Sequence, residues 1–531
     1  MNTFEILHRR SEKKPKNPAP AETSGIPGLF RLSSATLATK VLGYARDALL
    51  VAVFGGGALT DAYYAAFRIP NLFRRTLGEG AVNAGFIPAL EKEKAASGDN
   101  GRLFFSSAWT LIFFLSLALA ALGITFRAEL VKAISYGFTA RPEQFALAGA
   151  VTALLMPHLV FVNASALFAA ALNSAGEFFL PALAPAAFSL VIIGYLFVIR
   201  SPFARPLSPA VLLMGLAAAA TASGLIQAAA LIPSLKKAGY GLKFSNPFKT
   251  PAVWRTMLFT APAAAVMAQD QISLFINTMY ASFLEPGSIT AIYNAARLIQ
   301  FPVSLFAAAA AAISLPELAR NSAANRLEDF GLALTASFKT TALIIIPATL
   351  GLMALSLPLS RALFEHGRFT YEGSVLTAGV LFYLALGLPG YGVNKLAAAA
   401  CYGAGDMKTP VKIVLVQTAL NAVLCFILMR SLGARGLALA TALSSLAAAA
   451  LFARALKARG VLSPGPAAFY CKALASAGVM AAFCLAAKYF LSGFHPVFTV
   501  ALAVGGGIAV YFGGLKALGL QERKLITGGR F

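Results

Sequence analysis

The residues of this chain that could do chemistry are charges set inside apolar stretches. Lys40, Arg46 and Asp47 fall in the first such stretch, and Asp61, Arg68, Asn71, Arg74, Arg75 and Glu79 in the second. Arg297 stands alone in the eighth, on one face with Thr290, Asn294 and Ser304. At roughly 100° per helical residue, Asp61, Arg68, Asn71, Arg75 and Glu79 fall within an arc of about 80°, with Arg74 just beside it. Pro70 is placed to kink that helix and move the arc. A charge at the centre of a bilayer costs ~2.5–3.5 kcal/mol on insertion scales, so such groups should face protein or water. Charges near a helix end can snorkel to the headgroups, which accounts for Lys40 and Arg75 as well as a binding role does. It accounts less well for Arg46 and Arg297, each more than a turn inside an apolar stretch. A cationic cavity suits an anionic ligand, because arginine stays ionised when buried and its fork pairs with phosphate or carboxylate.

Other chemistry is hard to find. There is no GxSxG, no P-loop and no dinucleotide fingerprint. His8, His158, His366 and His495 are scattered without zinc spacing. Cys401, Cys425, Cys471 and Cys484 lie in apolar segments, form no CxxC and read as packing residues. The expectation is a protein that is not an enzyme and carries no cofactor. Any driving force should then come from a sodium or proton gradient or from the membrane potential. Asn277, Thr418 and Asn421 could give oxygen ligands to such an ion, although helix–helix hydrogen bonds explain them more simply. The net charge of +23 raises the question of nucleic acid. A nucleic-acid binder concentrates its charge in patches on a polar domain. Here Lys and Arg lie mostly between apolar runs, the pattern that orients membrane proteins, so no nucleic-acid partner is expected.

The elements that must position these charges are membrane helices. Hydrophobic residues make up 58% of the 531 and charged residues 12%, with a mean hydropathy of +0.73. About fourteen stretches are long enough to span a bilayer: 28–54, 60–90, 104–126, 144–172, 180–199, 209–234, 252–283, 288–319, 332–357, 374–402, 409–430, 435–457, 467–490 and 496–518. The fold class is an all-α polytopic membrane protein. Residues 1–26 are polar and basic without an apolar core, and read as a short cytoplasmic tail and not a signal peptide. Basic residues crowd one set of loops (Lys92, Lys94, Lys236, Lys237, Lys243, Lys249, Arg454, Lys457), which puts both termini in the cytoplasm.

An internal repeat appears at a shift of about 230 residues. Gly57, Thr60, Tyr63, Ala65 and Ala66 are matched by Gly287, Thr290, Tyr293, Ala295 and Ala296. Gly137, Pro157, Asn163 and Pro181 are echoed, with small gaps, by Gly367, Pro389, Asn394 and Pro410. Two parallel six-helix lobes follow, 27–240 and 250–460, with a central cavity between them. Residues 465–518 form two further helices, and 519–531 a second cytoplasmic tail.

The stretch KVLGYARDALLVAVFGGGALTDAYYAAFRIPNLFRRTLGEGAVNAGFIPAL, Lys40 to Leu90, resembles the N-terminal signature of the MurJ (MviN) family. These are the bacterial lipid II flippases of the multidrug/oligosaccharidyl-lipid/polysaccharide exporter superfamily. QISLFINT from Gln271, AARLIQFP from Ala295 and KTPVK from Lys408 fit the same family. The resemblance implies alternating-access transfer of lipid II, an undecaprenyl-diphosphate disaccharide-pentapeptide, from the inner to the outer leaflet of the cytoplasmic membrane. It implies that Lys40, Arg46, Arg74 and Arg297 meet the diphosphate and the peptide carboxylates, with Asp61, Asn71 and Glu79 as polar neighbours. It also implies that residues 465–518 form a groove for the lipid tail. Expected partners are lipid II, membrane lipids and peptidoglycan synthases. The chain departs from the family at Lys40, where arginine is usual, and at Ala296 and Gln300, where acids often flank the arginine. A flippase for another undecaprenyl-linked glycan is the nearest alternative, followed by a cation-coupled drug antiporter and a non-transporting scaffold. The arginines argue against the antiporter and the two-lobe repeat against the scaffold.

Overall fold

The structure, a computed structural model, describes residues 26–74, 85–96, 99, 101–202, 206–313, 327–403, 406, 408–458, 460, 467–491 and 493–520. The basic N-terminal tail, Arg75, Glu79 and the segment after Leu520 lie outside the described residues. A chain this apolar must close its backbone hydrogen bonds within each segment, because lipid offers none. The described residues accordingly form helices and connecting turns. The first lobe runs α1 (Ile26–Phe54), α2 (Ala58–Phe73), α3 (Ile87–Ala96), α4 (Arg102–Thr125), α5 (Arg127–Ile134), α6 (Pro142–Leu155), α7 (His158–Ser174), α8 (Phe179–Leu183), α9 (Ala186–Val198) and α10 (Pro209–Lys237). The second runs α11 (Pro251–Ala281), α12 (Ser288–Ile313), α13 (Leu327–Ala354), α14 (Ser356–Phe364), α15 (Tyr371–Ala385), α16 (Leu388–Gly403), α17 (Lys408–Leu432) and α18 (Ala434–Ala458). A final pair, α19 (Ala467–Phe490) and α20 (Pro496–Ala517), follows.

Proline sets several starts. Pro142, Pro209, Pro251 and Pro496 occupy the first helical turn, where a missing N–H costs nothing. The expected span 60–90 is described at its two ends: α2 runs to Phe73, and the helix from Ile87 carries the polar run Glu91-Lys92-Glu93-Lys94, while residues 75–84 lie outside the described residues. Among the described residues nine helical segments are long and apolar enough to cross a membrane, ten with the pair α15–α16, which bends by 45°. The expected count of about fourteen is not reached by that measure. At 16 residues α2 is too short for it, and α1 carries Arg31, Lys40, Arg46 and Asp47.

The repeat is visible as shape. In the first lobe the short α5 precedes α6 and α7, which break at Met156-Pro157. In the second the short α14 precedes α15 and α16, which break at Leu386-Gly387. The final pair packs on α13 through Leu343, Phe469, Ala473, Ala477 and Met480, and the Tyr511 hydroxyl donates to the Leu343 carbonyl at 2.8 Å.

The two lobes meet at one end. A buried core there joins Leu50, Val51, Phe54 and Tyr64 of the first lobe to Ile289, Ile292 and Phe369 of the second. The rings of Tyr64 and Tyr293 stack at 3.9 Å. Two glycines make pseudo-symmetric backbone contacts across the junction. Gly137 presses on Ser282 at the end of α11 and donates its N–H to the Ser282 hydroxyl at 2.9 Å. Gly367 presses on Ala52 near the end of α1, and the neighbouring Arg368 N–H donates to the Ala52 carbonyl at 2.7 Å. A Cβ at either glycine would collide with backbone, which cannot turn aside as a flexible side chain can. Gly367 also has φ of +61°, which glycine accepts without strain.

Gly137→Ala and Gly367→Ala should therefore each loosen this closed end, and the double variant more than either. Spin-label distances between the start of α2 and the turn at residues 366–369 should lengthen and broaden. Unchanged distance distributions in the double variant would show that these contacts do not hold the lobes together.

Candidate functional site

Below the closed end the lobes diverge around a cavity of about 1220 Å³. Its wall carries Lys40, Arg46, Arg68, Arg74, Arg297 and Lys395, and among the described residues that line it none is Asp or Glu. Lys40 and Arg46 come from α1, Arg68 and Arg74 from α2, Arg297 from α12 and Lys395 from α16. Asn71, Gln227, Gln300 and Gln417 add neutral polar groups.

The floor is a three-member ion cluster shared between lobes. Arg46 donates from Nε and Nη2 to Asp47 Oδ1 at 2.8 and 2.6 Å. Arg297 places Nε 2.6 Å from Asp47 Oδ2, an ion pair that lies off the hydrogen-bond line. Arg46 and Asp47 are buried, while the Arg297 side chain keeps 28% of its surface exposed. The cluster carries one net positive charge. Burial makes such a pairing obligatory, because an unpaired charge removed from water costs several kcal/mol, roughly, even after relaxation. Aromatic faces complete it: Arg46 lies 4.8 Å over Phe188 and Arg297 5.5 Å over Tyr293. The Tyr44 hydroxyl donates to the Arg297 carbonyl at 2.9 Å, a second tie between α1 and α12.

Six of the expected site residues line this one cavity: Lys40, Arg46, Arg68, Asn71, Arg74 and Arg297. Lys40 is exposed to it. Arg74, expected beside the polar arc, joins its lining and donates to Asn71 Oδ1 at 2.9 and 3.1 Å. Pro70 interrupts the backbone ladder of α2, and the turn at Arg74 widens to π-type geometry, which shifts the register of the face. Asp61 and Thr290 are corrections, since both lie at the closed end and away from the cavity wall. Asp61, 2% exposed, accepts from the Gly287 N–H at 2.7 Å and from the Thr290 N–H and hydroxyl at 2.8 and 2.6 Å. A side chain of one lobe thus caps α12 of the other, where orphan N–H groups and the helix dipole favour a carboxylate. The sequence arc failed at Asp61 because α2 crosses from a protein-packed end to a cavity-lining end within a few turns.

Lys395 and the buried His158 line the cavity without having been expected to. Lys395 had a readable signal, a lone cation in LPGYGVNKLAAAACYG. The polar residues considered for an ion site come together only in part. Asn277 donates to Thr441 Oγ1 at 2.9 Å, Asn421 lies 3.4 Å from Asn277, and the Cys425 thiol lies 3.2 Å from the same Asn277 oxygen. Thr418 instead donates to the Val414 carbonyl of its own helix. Among the described residues no group of three or more His, Cys, Asp or Glu is placed to hold a metal.

A two-lobe helical bundle, closed at one end around a cation-lined cavity, is the architecture of a membrane transporter. A model of the lipid II flippase MurJ family matches residues 50–505. The chain belongs to that family. It is 33% identical to a probable lipid II flippase MurJ of Rhizobium tropici, over 78% of this chain and 77% of that one. It superposes on a structure described as lipid II flippase MurJ in an inward closed conformation, at a TM-score of 0.78 and 25% identity, over 94% of this chain and 100% of the other. A structure described as an inward-facing multidrug resistance MATE family transporter of the MOP superfamily shares the fold at a TM-score of 0.66 and 14% identity, over 81% of this chain and 97% of that one.

Removing the shared carboxylate separates pairing from packing. Asp47→Asn leaves two arginines without their counter-ion and should destabilise the detergent-solubilised protein by about 3–5 kcal/mol. Asp47→Glu should lose less. Equal thermal midpoints for wild type and Asp47→Asn would mean that the cluster does not hold α1 to α12.

Proposed function

We propose that this chain moves lipid II from the inner to the outer leaflet of the bacterial cytoplasmic membrane by alternating access. The observation that carries the reading is the cavity wall, with six cations and no carboxylate among the described residues that line it. A diphosphate and the carboxylates of a stem peptide are the anions such a wall suits, since charge-assisted arginine contacts to them are short and directional. An apolar cation, the usual cargo of a drug exporter, would be repelled.

The loop charges support placing both termini in the cytoplasm. In that orientation the clamp formed by Asp61, Gly137 and Gly367 is periplasmic, and the cavity faces the leaflet where the lipid precursor starts. The headgroup then crosses through the polar interior while its tail remains in lipid beside α19 and α20. Return of the empty carrier follows release of the headgroup outside. A negative interior favours outward movement of the anionic headgroup, at ~2.3 kcal/mol per charge per 100 mV. We read the membrane potential as the main drive, because the neutral cluster at Asn277, Asn421 and Thr441 satisfies its own hydrogen bonds.

Purified protein in vesicles should carry fluorescent lipid II across the bilayer faster under an inside-negative potential. Arg46→Ala should abolish that transfer, while a second undecaprenyl-linked glycan without peptide should be carried poorly. Equal transfer of both glycans would favour a broader glycan flippase. Reporter fusions after Pro202 and after Phe531 should report opposite compartments, and agreement between them would overturn the orientation.

A further inference from the structure

Lys395 sits midway along α16, seven residues from Leu388 and eight from Gly403. Its backbone has little freedom. Gly387 and Gly390 bring the chain against Ala442 and Ser445 of α18, so close that a Cβ at Gly390 would lie 2.6 Å from the Ser445 hydroxyl. Asn394, the preceding residue, donates to the Ser445 carbonyl at 3.1 Å. On another side Gly392 packs against Thr341 and Ile345 of α13. The helix is pinned on both neighbours, and Lys395 remains exposed on the cavity wall with Tyr391 one turn away.

A cation inside a membrane span, as Lys395 is in the second half of the bent α15–α16 span, costs stability unless it meets water or an opposite charge. No acidic side chain pairs with Lys395 among the described residues, and the cavity wall offers none. The other cation of the second lobe on this wall, Arg297, already holds Asp47. Lys40, Arg68 and Arg74 project from the opposing lobe. The wall therefore carries an arginine-rich group from the first lobe and a single lysine from the second. A ligand with a single anionic group can use one of them. A ligand with separated anionic groups can use both and bridge the lobes.

We propose that Lys395 binds a carboxylate of the stem peptide while the first-lobe arginines hold the diphosphate. The proposal rests on the lipid II reading above and makes it more specific. Arginine forks match the oxygen geometry of phosphate, whereas lysine is a compact point charge that suits one carboxylate. Lys395 is then a specificity residue. It distinguishes a peptide-bearing headgroup from a diphosphate-linked lipid without one.

The test uses the full chain in detergent and three probes: lipid II, lipid II with its peptide carboxylates amidated, and undecaprenyl diphosphate. Lys395→Gln should weaken lipid II binding by about tenfold, the worth of one charge-assisted hydrogen bond. It should leave undecaprenyl diphosphate binding unchanged. Amidation should weaken wild-type binding to the level of Lys395→Gln and weaken that variant no further. Lys395→Arg, which keeps the charge, should bind nearly as wild type, and this arm guards against a loss that is merely structural. Equal weakening of lipid II and undecaprenyl diphosphate by Lys395→Gln would overturn the assignment in favour of a phosphate contact. Unchanged lipid II binding would overturn it outright. Failure of wild-type protein to bind lipid II at all would instead overturn the parent reading.

Discussion

The rest of the structure depends on the pairing of Asp47 with two arginines. Three ionised side chains lie at the depth where lipid or packed protein would normally be, and none of them could stay there alone. Asp47 belongs to the first lobe with Arg46, and Arg297 belongs to the second. Arg297 thus has its counter-ion only when the lobes are together. Packing alone would leave the lobes free to slide, because apolar contacts have no preferred partner. The ion cluster fixes which face of α1 meets which face of α12, and the cavity above the floor inherits its shape from that register.

The repeat explains the architecture but not the site. At the shift of about 230 residues that relates the lobes, the second-lobe counterpart of Asp47 is Asn277, and that of Asp61 is Ala291. The two halves therefore share helix breaks and the glycine contacts at the closed end, and differ in charge. Where the first lobe has Asp47 bound to arginines, the second has Asn277 hydrogen-bonded to Thr441. Shape was conserved between the copies because both must pack by the same backbone approaches. Charge is not symmetric because the ligand that crosses between the lobes is not symmetric.

This difference also sets what could be read from sequence. The helices were legible because apolar runs of bilayer length have one stable conformation in lipid. The cationic face was legible because charge in such a run demands a reason, and Lys40, Arg46, Arg68, Arg74 and Arg297 do line one cavity. Asp61 and Thr290 were misplaced because helical periodicity gives the direction a residue faces, not how far along the helix the neighbour changes from cavity to protein. Lys395 was overlooked although it is the one cation of its helix, because a single charge in an apolar helix does not say which wall it lines. Its meaning came only when the fold set it on the same cavity wall as Lys40 and Arg74. The partnership of Asp47 with Arg297 needs two residues 250 positions apart to meet, and no local pattern states that.

The same cluster bears on how a ligand could move the lobes. A ligand shifts a conformational equilibrium only by its difference in affinity for the two states. Reversing a population from about 1:99 to 99:1 takes ~5.5 kcal/mol of such difference. The closed end is held by the Asp61 cap, the stacked Tyr64 and Tyr293 rings and two glycine contacts, each a modest interaction. On the proposed reading, an anionic headgroup that reached the floor would compete with Asp47 for Arg46 and Arg297. It can replace the carboxylate without leaving either arginine unpaired, so the α1–α12 tie is exchanged for ties to the cargo, with no buried arginine left uncompensated. Asp47 then needs a new partner, and water entering a widening cavity supplies one most readily. With no headgroup bound, the arginines would keep Asp47 and the closed end would stay shut. On the proposed reading, the coupling of cargo to lobe movement would follow from a single rule, that no buried charge is left alone at any stage.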